Sequence, residues 1–145
     1  MSLTKNQIKQ FFDRIDRLTR SQKPLFGKMN ANQMICHCAD FFRMAKGTKM
    51  ALEHNTANSD EIIALAKSRK TVPTPKGFGQ IEGQGTQPTN FDNDKEVLKN
   101  FISEFANFDE AFEFAEHPYF GKMTRKEWDN LAAYHLNHHL KQFNV

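Results

Sequence analysis

Apolar residues in this chain recur at intervals of three and four in four separate stretches, and no stretch alternates convincingly enough to make a strand. That period admits helices and little else, so the chain is expected to be all-α. Ile8, Phe11, Phe12, Ile15 and Leu18 form the first stripe, and residues 4–20 read as an amphipathic helix. Pro24 and Gly27 mark residues 21–30 as a connection. Asn30 then stands in N-cap position with Gln33 three residues later, and Gly47 suits a C-terminal cap, which predicts a second helix over 31–46. Residues 48–58 give no clear pattern, and Ser59 or Asp60 is a candidate cap for a short helix running to about Lys67.

Residues 71–90 contain Pro73, Pro75, Gly77, Gly79, Gly83, Gly85 and Pro88 and read as a long irregular segment, which in a compact domain is usually functional or mobile. Asp92 opens a third long helix, striped by Val97, Leu98, Phe101, Ile102, Phe105 and Phe108 and ending between Asn107 and Phe114. Thr124-Arg125-Lys126-Glu127 is a capping box that launches a last helix to the C-terminus. Four long amphipathic helices, with the irregular connection between the second and third, predict a four-helix bundle. No internal repeat is evident, and residues 1–145 are read as a single domain.

Composition narrows the class. Hydrophobic residues make up 39% and charged residues 26%, as in a soluble globular protein with a true core. No apolar run approaches the roughly 18–20 residues that span a bilayer, so no membrane partner is expected. Met1-Ser2-Leu3-Thr4-Lys5 runs straight into an amphipathic helix without a signal-peptide pattern. Two cysteines two positions apart cannot staple a fold, so a cytoplasmic protein with reduced thiols is expected. The formal charge of +3 is scattered among acids, as in Asp13-Arg14-Ile15-Asp16-Arg17. A nucleic-acid surface would need a cluster of one sign, and no such partner is expected.

Three of the six histidines lie in the last helix. At about 100° per residue, with His135 at zero, Trp128 falls near 20°, Leu131 near −40° and Ala132 near 60°. His139 falls near 40° and Gln142 near −20°, inside this apolar stripe, while His138 falls near −60°, at its edge. His135 and His139 therefore form an inward pair one turn apart, able to share a cation. On helix two, His37 lies on the side of Met34 and Phe41. Its neighbours Cys36 and Cys38 each diverge from it by about 100°, so Cys-His-Cys is not a chelating face here. A lone inward histidine is commonly a hydrogen-bonded core residue. Agreement of three on the core-facing stripes of capped helices points instead to a divalent-metal site at His37, His135 and His139, with zinc or nickel favoured.

Three segments carry a family resemblance. Asn32-Gln33-Met34-Ile35-Cys36-His37-Cys38-Ala39-Asp40 is similar to an "xQMxxHxxD" segment. His117-Pro118-Tyr119-Phe120-Gly121-Lys122-Met123-Thr124-Arg125-Lys126-Glu127-Trp128 is similar to "HPxFGxLTxxEW", and His135 through Phe143 to "HxxHHxxQF". The chain so resembles the DinB-like (YfiT-like) superfamily of metal-dependent four-helix proteins, within a branch known only as a domain of unknown function. The resemblance implies a metal held by one histidine of the second helix and two at HxxxH spacing on the last, which carries onto His37, His135 and His139. It also implies homodimerisation, and chemistry in which low-molecular-weight thiols move onto or off small molecules.

A three-histidine metal with an open position activates water or a thiol at neutral pH. The sequence therefore predicts a small-molecule substrate and either thiol transfer or metal-hydroxide hydrolysis, making the chain a candidate transferase or hydrolase. The alternative is a non-catalytic bundle whose metal or histidine cluster is structural, serving a binding or stress-response role. Candidate catalytic residues are His138, Asp40 and His117; His138 reads first as a partner for the opposite helix and second as a general base. Asp40, one turn from His37, either orients a ligand's second ring nitrogen or makes a hydrogen bond at the rim, the rim reading ranking first. His117, before Pro118, reads first as turn chemistry. Gln142 either bonds near the metal or closes the bundle end, and Trp128 reads as a core anchor. Gly77-Phe78-Gly79-Gln80-Ile81-Glu82-Gly83 lacks the spacing of a dinucleotide or phosphate loop.

Overall fold

A computed structural model describes residues 3–68 and 72–145. It is all-helical: α1 Lys5–Arg17, α2 Ala31–Lys46, α3 Ser59–Lys67, α4 Phe91–Asn107 and α5 Arg125–Gln142. No strand forms among the described residues, where pairing is limited to an isolated bridge between His117 and Gly121.

Caps set most of these limits. Thr4 with Gln7, Asn30 with Gln33 and Thr124 with Glu127 each make a full capping box, satisfying two backbone donors reciprocally. Gly47 closes α2 in the left-handed conformation (φ 80°). Three boundaries differ from the sequence reading. The first helix stops at Arg17, because Leu18 turns extended and drops its side chain into the core. Asn58, rather than Ser59 or Asp60, caps α3, and Asn90, rather than Asp92, caps α4. Asn carries its side-chain oxygen two bonds from Cβ, as Asp does, so spacing could not choose between neighbouring candidates.

The four long helices pack as a ring, with α2 against α4 and α5, and α1 against α4 and α5. Consecutive helices α1 and α2 therefore stand on a diagonal. The connection between them crosses the end of α5, where Leu25 N–H donates to the Gln142 carbonyl at 2.7 Å and the Gln22 amide donates to the Phe143 carbonyl. The short α3 lies outside this ring and touches α5 through Tyr134 Oη, which donates to the Ala66 carbonyl. Ile15, Met34, Ile35, Phe42, Leu98, Ile102, Phe105, Trp128, Leu136 and Phe143 fill the centre. Truncating one of the large ones, such as Phe42, costs about 3–5 kcal/mol. No helix among the described residues is long and apolar enough to cross a membrane.

The irregular segment is not adrift. Thr86 donates both its N–H (2.8 Å) and its hydroxyl (2.6 Å) to Asp40 of α2, and Lys49 Nζ reaches the Gln84 carbonyl at 3.0 Å. Leu52 N–H pairs with the Lys76 carbonyl, and Tyr119 Oη donates to that of Pro73. These bonds lay residues 72–90 across one side of α2 and bring Gln80 to His37.

Candidate metal centre

α2 and α5 face each other, so His37 meets His135 and His139 inside the bundle. Ring centroids lie 4.5 Å apart for His37 and His139, 4.6 Å for His135 and His139, and 4.9 Å for His37 and His135. One ring nitrogen from each falls within 4.8 Å of the other two. Phe41, one turn beyond His37, stacks on the His135 ring (5.1 Å, 23°) and walls the cluster on that side.

Every ring has a defined neighbour. His37 Nδ1 is 3.1 Å from Gln80 Oε1, and His139 Nδ1 is 2.8 Å from Gln142 Oε1. His135 Nε2 lies 3.1 Å from His37 Nε2, while its buried Nδ1 has no hydrogen-bond partner among the described residues. Burial is the largest influence on all three and pushes each imidazole below its ordinary pKa. Neighbouring imidazoles, His139 and His37 for His135 and His37 for His139, push the same way. These are neutral rings, the form that binds a cation.

The other candidates divide. Asp40 is not at the rim: it is 1% exposed and accepts from Arg43 Nη1 (2.9 Å), Gln80 Nε2 (2.9 Å) and both donors of Thr86. Its hydrogen-bonded route to His37 runs through Gln80. His117 performs turn chemistry, its Nδ1 accepting the backbone N–H of Tyr119 (3.0 Å) and of Phe120 (3.3 Å). Burial lowers its pKa to about 4. His138 stands outside the trio, half-buried, with the Tyr134 ring stacked on it and the Phe26 ring against it. Trp128 is the core anchor the pattern predicts, fully buried among Phe41, Phe114 and His117. Cys36 and Cys38 are buried thiols. Burial, with Asp94 and Asp40 nearby, pushes Cys36 up to about 12, which removes it as a nucleophile. Gln80 is the site residue the sequence reading missed. It sits in a segment without periodicity, where Gln80, Glu82 and Gln84 alternate among glycines and nothing local singles one of them out.

The family model for "Protein of unknown function (DUF1569)" matches residues 1–145. The chain belongs to that family. No curated protein and no solved structure matches it. The donor set of this DUF1569 chain fits a divalent ion. Three neutral imidazoles are a borderline set suited to a divalent transition metal, and nitrogens bound tetrahedrally at about 2.0–2.1 Å stand about 3.3 Å apart. The 3.1 Å between His37 Nε2 and His135 Nε2 is close to that edge. Among the described residues no fourth histidine, cysteine or carboxylate joins the three.

Proposed function

We propose that this DUF1569 protein is a divalent-metal-dependent enzyme, and that it transfers a low-molecular-weight thiol onto or off a small electrophile. Hydrolysis is the second chemistry open to the same site. The observation that carries the reading is the trio of neutral imidazoles inside the bundle, His139 buried and His37 and His135 partly buried, with no fourth protein ligand among the described residues. Structural sites are closed by four protein ligands, whereas catalytic ones leave a position to water or substrate. A bound zinc or nickel ion would act there as a Lewis acid, lowering the pKa of water or of a thiol.

The remaining roles fall to this chain's own side chains. His37, His135 and His139 would hold the ion. His138, its ring 4.9 Å from that of His139 and half-buried, would exchange protons with solvent. Phe41 would keep water from the inner side, and Asp40 would act at a distance through Gln80. His117 is assigned to the turn and not to the chemistry. The placement of one ligand on the second helix and two on the last also supports membership of the DinB-like superfamily. The two free cysteines agree with action in the cytoplasm.

The deciding experiment is elemental mass spectrometry on tag-free protein beside the His135→Ala/His139→Ala double variant. Near-stoichiometric metal, lost in the variant, supports the site. A thiol screen with a chromogenic aryl halide then separates transfer from hydrolysis. No metal after incubation with Zn²⁺ and Ni²⁺ would overturn the proposal.

A further inference from the structure

We propose that Gln80 and Gln142 are positioning residues that fix the ring tautomers of His37 and His139, so that both rings present a bare Nε2 to one shared cation. The inference rests on the metal reading above and adds the two side chains that ready the trio for an ion.

A neutral imidazole carries one proton, and the hydrogen bond at one nitrogen decides which nitrogen is left free. A glutamine amide can impose that choice only if its own orientation is fixed, because it offers a donor end and an acceptor end. Here both amides are fixed. Gln80 Nε2 lies 2.9 Å from Asp40 Oδ2. Asp40 already receives Arg43 and both donors of Thr86, so it has only acceptors to offer and the NH₂ end must face it. Gln80 Oε1 is thereby turned to His37 Nδ1, which has to be the protonated nitrogen.

Gln142 repeats the wiring with unrelated partners. Its Nε2 donates to the Phe26 carbonyl at 2.9 Å, and a carbonyl also only accepts. Its Oε1 therefore faces His139 Nδ1 at 2.8 Å, and that proton too is held on Nδ1. One lock comes from the segment between α3 and α4, the other from the last residue of α5. A pair of core amides that merely satisfied two histidines would not need to converge on two rings of one trio. Side chains that hold a ligand's second nitrogen in this way orient the ring and raise its basicity.

Each lock has a glycine that makes room for it. A Cβ on Gly27 would stand 2.6 Å from Gln142 Nε2, and φ at that residue is +81°, a conformation that disfavours side chains. A Cβ on Gly85 would collide with the Gln80 amide and approach the Phe78 carbonyl to 2.7 Å. Both glutamines are 3% exposed, so neither amide has water to turn toward.

His117 supplies an internal control. Its Nδ1 accepts two backbone N–H groups, so its proton is on Nε2, opposite to the arrangement proposed for His37 and His139. The test is long-range ¹H–¹⁵N correlation on the ¹⁵N-histidine-labelled full chain, run with zinc titration against a chromogenic chelator. The wild type is expected to show His37 and His139 protonated at Nδ1 and His117 at Nε2. Gln80→Met should release the tautomer of His37 alone, and Gln142→Met that of His139 alone. Each should weaken zinc binding about 10–100-fold with His117 unchanged. Gln142→Glu keeps an acceptor toward the ring and should keep the His139 tautomer. Should a Met variant lose the His117 signature, the fold has been disturbed. Gln→Asn then replaces it, since the shortened amide cannot reach the ring. Variants that retain wild-type tautomers overturn the role of the glutamines and leave the metal reading standing. Tautomers that shift as expected in a wild-type protein that takes up no zinc overturn the metal reading, and the shared cation with it.

Discussion

Each imidazole of the trio is held by a different kind of neighbour: His37 by an amide from an irregular segment, His139 by an amide of its own helix, His135 by the face of Phe41. Removing one therefore takes away one imidazole without removing the supports of the others. His37→Ala, His135→Ala and His139→Ala are each expected to lose the metal, and His138→Ala, outside the trio, to keep it. Metal content by elemental mass spectrometry checks this, and retention by all of the first three variants would sink the assignment. Phe41→Ala should act on both stability and site. Losing a buried ring of this size costs about 3–5 kcal/mol in chemical unfolding, and His135 loses its stacking partner. At this scale the inward pair was legible, because a helix of known period fixes which side chains share a face. Gln80 was not legible: its approach to His37 spans 43 residues of sequence and depends on where an aperiodic segment lies.

Among the elements, α2 concentrates the most function in one stretch. It carries His37, the buried Asp40 and the ring that walls the cluster, and it begins and ends at strong caps. Its two ends and the Thr124 box of α5 could be read from the sequence, since capping chemistry is local and the residues sit at fixed offsets. The segment 72–90 reads only as irregular, because nothing local says that Thr86 and Gln80 fold onto Asp40. That anchoring can be separated from the helix itself. Asn30→Ala is expected to cost about 1 kcal/mol through loss of the capping box and to leave metal binding unchanged. Asp40→Ala should do much more, about 3–5 kcal/mol, because Arg43, Gln80 and Thr86 lose a buried common acceptor. It should also free residues 72–90 to proteolysis and weaken metal binding through Gln80. Urea unfolding of both variants, with limited trypsin digestion at Lys76, distinguishes the two effects. Equal resistance of Asp40→Ala and wild type at Lys76 would show that the segment is held by its other bonds, such as that of Lys49 to Gln84.

The whole bundle holds five imidazoles below their ordinary pKa by burial: His37, His135 and His139 at the centre, His138 beside them, and His117 in the turn before α5. In the unfolded chain each takes up a proton near pH 6.5. In the folded protein burial resists that proton, for His117 down to about pH 4. Between those limits the unfolded state binds more protons than the native one, so stability must fall as pH falls. Above about pH 7 both states are neutral at these positions and the five histidines add no slope. His117 alone is worth about 3 kcal/mol by pH 4, taking about 1.4 kcal/mol per unit of depression from its ordinary value. The three central rings add to the same slope and in the same direction. Urea midpoints of metal-free protein should therefore be flat from pH 8 to 7 and drop steeply from 6.5 to 4.5. His117→Asn, which keeps a side-chain acceptor for the turn, should lose part of that drop. With Zn²⁺ present the midpoint at pH 7.5 should rise, since only the folded chain gathers the three ligands, and its fall on acidification should steepen as protons compete for the same nitrogens. A midpoint that stays level from pH 7 to 4.5 in metal-free protein would mean that the native state accepts those protons freely. The trio would then be open to water, and its rings would not be held neutral for a cation.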